Sequence, residues 1–393
     1  MRRAGVTLAA VAVLAVAGCT DTPTTSTEPT ERPSSASASP TEASDSPTAS
    51  TSPATSTPSP RSAPSGPPRV SGTIAGDLAV PWGMAFLPDR SALIAERDSG
   101  RVRHVATDGQ TTNAGTVPGV RARGEGGLLG LAVAPTFRSQ PYVYASFTGA
   151  DDNRIVRMRY TDNRLGRPEV VLSGIPSEAV HNGGRMVFGP DGMLYVGTGD
   201  ATEGEESQDR TSLGGKILRI TPEGRPAAGN PFAGSAVWSY GHRNVQGLAF
   251  DPDGRLWASE FGQDTWDEVN LIRKGGNYGW PEAEGIARDP RYVDPIAQWR
   301  TDDASPSGLA YAGGSLWMAG LRGERLWRIP IEDGHRSGSP QAFFTGDYGR
   351  LRTVAAAPDG SLWLTTSNTD GRGTPGGRDD RILRVTLGGP DGR

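Results

Sequence analysis

The sequence predicts an all-β protein, a six-bladed propeller, on three observations. A short unit made of an apolar strand, a tight turn and a second apolar strand recurs six times, at spacings of about 45 to 60 residues. Each copy is followed by another alternating strand, usually basic–apolar–basic, such as Arg101-Val102-Arg103 or Lys216-Ile217-Leu218-Arg219-Ile220. Almost no stretch sustains the 3.6-residue apolar period of a helix. A two-sheet sandwich is the alternative all-β arrangement. It leaves six near-equal units unexplained, whereas a propeller needs one per blade.

In chain order the units span 82–96, 128–147, 186–196, 245–260, 307–319 and 353–365. Their turns carry the chemistry of tight reversals. Gly189-Pro190-Asp191-Gly192 and Asp251-Pro252-Asp253-Gly254 combine the fixed φ of proline with a glycine able to take φ > 0. The trailing strands begin near 101, 153, 215, 267, 324 and 380. In such a ring, loops from all six blades meet on one face. Residues far apart in sequence can then share a ligand.

The propeller is expected over 69–393, with a different kind of sequence ahead of it. Arg2 and Arg3 precede an apolar run from Ala4 to Ala17 that is short for a membrane span, and 1–18 reads as a secretion signal. The run ends Val16-Ala17-Gly18-Cys19, which looks like a bacterial lipobox. Cys19, the only cysteine, is the expected lipidation site, so no disulfide forms within the chain. Whether export is by the general or the twin-arginine route stays open. Segment 19–68 is mostly Ser, Thr, Pro and Ala, with little to bury, and is expected to be a disordered linker with an end-to-end distance of roughly 40 Å. The mature protein is thus expected outside the cytoplasmic membrane, touching it only through its lipid. The net charge of −4, from 40 basic and 44 acidic residues, gives no basic excess that would call for nucleic acid.

Candidate chemistry sits at the blade edges. His181 precedes the hairpin of the third unit and Asp200 follows it. A hairpin returns its ends to one side, so the two are expected to meet, as a general base with an orienting carboxylate. The alternative is a rim histidine and a turn aspartate. Glu125 stands ahead of the second unit, Arg243 and Asn244 ahead of the fourth, and Gly262 and Gln263 after its second strand. Arg322 follows the fifth unit, and Arg350 and Arg352 precede the sixth. Any one arginine reads as a solvated surface residue. Their recurrence at one edge of successive blades points to a polyanion, because arginine offers a permanent charge and bidentate donors to carboxylates.

With these residues in hand, the sequence resembles the soluble aldose (glucose) dehydrogenases that use pyrroloquinoline quinone. The matching segments are His181-Asn182-Gly183-Gly184-Arg185 with Asp200, the run 239–250 around Gly241-His242-Arg243-Asn244, and 267–281 ending Asn277-Tyr278-Gly279-Trp280-Pro281. Gly124-Glu125-Gly126-Gly127 and Arg350-Leu351-Arg352 agree as well. The resemblance implies His181 as catalytic base, Asp200 as its orienting carboxylate, and Arg243 beside the reacting quinone oxygen with Asn244 next to it. It implies Arg350 and Arg352 on the cofactor's carboxylates, with Arg322 in place of a lysine. Calcium is implied at the carbonyls of Gly262 and Gln263, the latter where the family often has proline. Glu125, in place of a glutamine, and Trp299, as an aromatic wall, are implied near the sugar.

The implied reaction removes a proton and a hydride from the anomeric carbon of an aldose. An imidazole, with an ordinary pKa of ~6.5, suits the proton. Calcium and Arg243 would stabilise the charge that follows the hydride. Two other readings compete on the same scaffold. A lactonase-type metal hydrolase would need side-chain carboxylates and Asn around calcium on the axis, and the matched segments supply no such set. A sugar- or protein-binding propeller would need no base, orienter or cofactor cations. The particular sugar, the electron acceptor and the oligomeric state are not legible in the sequence.

Overall fold

The computed structural model describes residues 66–388. The expected secretion signal, Cys19 and nearly all of the expected 19–68 linker lie outside the described residues. Six antiparallel sheets form six blades, and the only helical element among the described residues is one 3₁₀ turn, Gly204–Ser207. Blade one comprises Pro81–Phe86, Ala92–Glu96, Arg101–Val105 and Thr111–Thr116. Blade two comprises Leu128–Val133, Tyr142–Thr148, Asn153–Thr161 and Arg164–Ile175. Blade three comprises Met186–Phe188, Leu194–Gly197, Lys216–Ile220 and Val237–Tyr240. Blade four comprises Val245–Phe250, Leu256–Glu260, Trp266–Ile272 and Ala297–Arg300. Blade five comprises Pro306–Ala312, Ser315–Gly320 and Arg325–Glu332, with His335–Arg336 and Gln341–Phe343 both pairing with its third strand.

Blade six draws its strands from both ends of the propeller segment. Leu351–Ala356, Leu362–Thr366 and Ile382–Thr386 are completed by Arg69–Ala75, which pairs antiparallel with the last strand from Arg69 opposite Thr386 to Ala75 opposite Ile382. The repeat pattern assigns no strand to 69–75. Pairing it with the last strand joins the two ends of the propeller within one blade and so closes the ring.

The first strand of each blade faces the first strands of its neighbours around the axis. Crowding there explains a recurrent small residue in the pattern. A Cβ on Gly83 would overlap the Leu129 carbonyl of blade two, and one on Gly247 would overlap the Ser307 carbonyl of blade five. Between neighbouring blades the alternating strands bury their apolar faces. Leu93, Val102, Leu128 and Val143 fill the space between blades one and two. Trp257, Val269, Leu316 and Met318 do the same between four and five. Six such clusters follow one another around the ring. The hydrophobic effect thus holds blade to blade and leaves the loops at one rim free for polar chemistry.

Candidate active site

At one end of the propeller the loops enclose a cleft of about 310 Å³. Its geometry starts with blade three. The hairpin pairs Met186 with Val196, Val187 with Tyr195 and Phe188 with Leu194, so residues just before and just after it emerge together. His181 takes a left-handed backbone conformation at φ +58°, which costs a non-glycine residue about 1 kcal/mol or more. The surroundings hold it there. Its carbonyl accepts from Ala201 N–H at 3.2 Å, and its N–H donates to Glu125 Oε2 at 3.3 Å. Gly199 lies so close to the His181 carbonyl that a side chain there would collide with it.

His181 Nδ1 lies 2.8 Å from Asp200 Oδ1. The Asp200 carboxylate, 1% exposed, also accepts the Thr202 N–H at 2.9 Å on the same oxygen and the Trp280 indole N–H at 2.8 Å on the other. Burial pushes the Asp200 carboxyl up. The hydrogen bond and charge of His181, with the Thr202 and Trp280 donors, outweigh it and hold the group below the usual carboxylate range. An ionised Asp200 receiving Nδ1–H leaves Nε2 as the basic nitrogen.

The strand that ends at Gly197 continues to touch blade four. Asp200 N–H donates to the Arg243 carbonyl at 2.8 Å, and Gly199 forms a bridge with Asn244. This contact carries Arg243 to the cleft beside Asp200. Arg243 Nη1 donates to the Gly262 carbonyl at 2.6 Å, its guanidinium lies 5.3 Å from the Trp280 ring centre, and its Nε is buried with no partner. Burial lowers the Arg243 pKa, opposed by Asp200, Glu284, Glu125 and Asp267. Asn244 is buried and accepts the Gly183 N–H at 3.0 Å, tying blade four to the His181 loop.

Gly262 and Gln263 line the cleft on a loop that Glu284 pins. Its Oε1 accepts four successive backbone N–H groups, from Gln263, Asp264, Thr265 and Trp266, at 2.7 to 3.1 Å. Asp267 accepts the Gly262 N–H at 3.0 Å, and burial pushes its carboxyl up to about 6. Arg350 and Arg352 line the same cleft, both buried and both directed to Asp370. Arg350 donates through Nε and Nη2 at 3.0 and 2.9 Å, and Arg352 through Nη2 at 3.4 Å. Arg322 lines the cleft while paired with Asp302 in an exposed ion pair of 2.5 Å, a contact weak enough to exchange for a ligand. Glu125 is bonded to Arg372 Nη1 at 2.8 Å.

The structure therefore gathers His181, Asp200, Arg243, Asn244, Glu125, Gly262, Gln263, Arg322, Arg350 and Arg352 at one cleft. It does not bring Trp299 there. That residue lies on the outermost strand of blade four, 7% exposed, packed against Trp327 of blade five at 5.4 Å between rings. As an inward-facing residue of an alternating strand it belongs to the apolar layer between blades, and its expected place beside a sugar is corrected. Sequence reasoning passed over Arg97, Asp370 and Arg372, which line the cleft, and Trp280. Trp280 sits inside a matched segment. Asp370 and Arg372 lie in a polar glycine-rich loop whose pattern reads only as a turn.

A family model described as Glucose / Sorbosone dehydrogenase matches residues 78–383, nearly the whole propeller. The chain belongs to this family. Among glucose/sorbosone dehydrogenase relatives, an aldose sugar dehydrogenase of Escherichia coli K12 is 30% identical over 331 residues, 74% of this chain and 88% of the relative. Quinoprotein glucose dehydrogenase B of Acinetobacter calcoaceticus is 33% identical over 282 residues, 61% of this chain and 59% of its own length. The solved PQQ-bound form of an aldose sugar dehydrogenase from Streptomyces coelicolor superimposes with a TM-score of 0.80 at 58% identity, covering 81% of this chain and 97% of that one.

In this member of the glucose/sorbosone dehydrogenase family, a quinone carrying several carboxylates suits the charge of the cleft. Six arginines line it, Arg97, Arg243, Arg322, Arg350, Arg352 and Arg372, against three carboxylates, Glu125, Asp267 and Asp370. That excess of positive charge, with the partnerless Arg243 Nε, matches an anionic ligand. Among the described residues no group of three or more His, Cys, Asp or Glu is placed to hold a metal ion.

Proposed function

We propose that this protein oxidises the anomeric carbon of aldose sugars to lactones, with pyrroloquinoline quinone as the bound acceptor and calcium beside it. The observation that carries this reading is the His181–Asp200 pair, 2.8 Å apart, in a cleft with an excess of arginines. When bound, the quinone supplies the two-electron acceptor for the hydride that leaves the sugar carbon. Arg350, Arg352 and Arg322 would hold its carboxylates, with Arg243 and Asn244 at its reacting side. His181 Nε2 takes the proton of the anomeric hydroxyl, and Asp200 holds the ring and stabilises the imidazolium formed. Arg243 offers a partly desolvated positive charge where negative charge develops. Glu125, fixed beside the His181 backbone, is available to sugar hydroxyls. A calcium ion would depend on backbone carbonyls of the 262–263 loop and on oxygens of the cofactor, since a carbonyl has a second lone pair beyond the one Arg243 uses at Gly262.

On this reading the mature protein stands outside the cytoplasmic membrane, attached through lipid on Cys19. The support is the 16–19 sequence and the spacer after it.

The test is reconstitution. Purified apoprotein receives quinone and calcium, and stopped-flow absorbance follows reduction of the bound quinone by an aldose. His181→Ala should bind the quinone normally and reduce it about 10²- to 10⁴-fold more slowly, the usual range for a positioned base. A wild-type protein that binds quinone yet shows no sugar-dependent reduction would sink the reading.

A further inference from the structure

The residues assigned so far fall into two halves, a base pair of His181 and Asp200 and a cationic wall at Arg243. One side chain touches both. Trp280 donates its indole N–H to Asp200 Oδ2 at 2.8 Å, and its ring face lies 5.3 Å from the Arg243 guanidinium. Its own backbone is held on two sides. Trp280 N–H donates to the Gly241 carbonyl at 2.9 Å, and its carbonyl accepts Gln208 Nε2 at 2.7 Å, while Gln208 is itself bonded to Asn277. Its backbone is thus held by groups other than Asp200 and the Arg243 side chain.

We infer that Trp280 is a positioning residue that sets the basicity of His181 through Asp200 and the placement of Arg243 through its ring face. This rests on the reading of His181 as the base. The physical argument has a sign. An N–H donated to Oδ2 draws off part of the carboxylate charge that would otherwise face His181. Without it, more negative charge stabilises the imidazolium, and the free imidazole needed to accept a proton is reached only at higher pH. The other charged groups around the pair come from separate elements. Arg243 stands ahead of blade four, balanced by Glu284 and Asp267. Glu125, ahead of blade two, accepts the His181 N–H and pairs with Arg372 from the blade-six loop. None of them bonds to the indole N–H, so its removal alone tests the effect.

Two variants separate the edge of the ring from its face. Trp280→Phe keeps an aromatic face for Arg243 and loses the donor. Trp280→Leu loses both. In the reconstituted enzyme, Trp280→Phe should bind quinone within about twofold of wild type, by calorimetric titration. Its acid limb for quinone reduction should move up by about half to one pH unit. Trp280→Leu should show the same shift and also bind quinone roughly tenfold more weakly, in keeping with loss of a partly desolvated cation–π contact. In the apoprotein, the Trp280 indole N–H resonance should move with pH as the His181–Asp200 pair takes up a proton, and stay flat in His181→Gln. An unshifted acid limb in Trp280→Phe overturns the proposal, as does an indole resonance insensitive to pH or titrating alike in His181→Gln. The apoprotein titration needs no turnover. Absence of sugar oxidation in the wild type would therefore fail the functional reading while leaving the Trp280–Asp200 coupling separately measurable.

Discussion

At the residue scale, the cleft works by burying charges in pairs. Asp370 is the clearest case. Its carboxylate, nearly inaccessible, gathers Arg350 and Arg352. Burial alone would raise its pKa, but the two guanidinium groups and their hydrogen bonds hold it below the usual range. A depressed folded-state pKa contributes stability that is fully present above the unfolded value of ~3.9 and is lost as pH falls through the folded value. We therefore expect Asp370→Asn to flatten the acid side of the stability curve, read as urea midpoints between about pH 2 and 5. The same variant should loosen the two arginines. An acid limb identical to wild type would mean that Asp370 is not ionised in the folded protein.

At the element scale, the loop that follows Glu260 shows how a single side chain shapes a segment without regular structure. Glu284 accepts four consecutive N–H groups from 263–266, and burial, which raises its pKa, is outweighed by them. Those donors cannot then turn toward the cleft, and the loop presents Gly262 and Gln263 to it in one arrangement. Glu284→Ala removes a set of charge-assisted bonds worth about 1.5–3 kcal/mol each at most. If calcium rests on this loop, reconstitution with quinone should need roughly tenfold more calcium for half-maximal binding. An unchanged calcium requirement would place the ion elsewhere.

At the scale of the whole molecule, ring closure couples the two ends of the propeller. Arg69–Ala75 completes blade six against Ile382–Thr386. A chain beginning at Gly66 should keep the wild-type thermal midpoint. One beginning at Gly76 should lose about 5 °C or more and aggregate through the exposed edge of its last strand. Equal midpoints would show that the outer strand is dispensable. The segment ahead of Gly66 answers a different question. If Cys19 carries lipid, Cys19→Ala should shift the protein from the membrane fraction to the soluble one or leave its precursor unprocessed. Salt-resistant membrane association in that variant would count against lipidation.

The sequence by itself determined the number of blades and the meeting of His181 with Asp200. Both follow from local rules. Alternating strands and Gly-Pro-Asp-Gly turns repeat with a period that can be counted, and a hairpin must return its two ends to one side. Most of the blade-edge residues were legible for the same reason, because a fixed position in a repeated unit is a fixed position on the ring. Trp299 was misread because a tryptophan near the end of a strand looks the same whether its face of the pleat turns to a cleft or to the next blade. Only register and neighbours decide that. Tertiary structure alone decided the closure by Arg69–Ala75, since pairing between chain ends leaves no local pattern. It alone decided that Trp280 joins Asp200 to Arg243, whereas Asp370 meets Arg350 and Arg352 across the ends of the sixth hairpin, as His181 meets Asp200 across the third. The Trp280–Asp200 contact spans 80 residues of sequence, and it exists because the blades, packed by their apolar faces, deliver the polar loops of different repeats to one place.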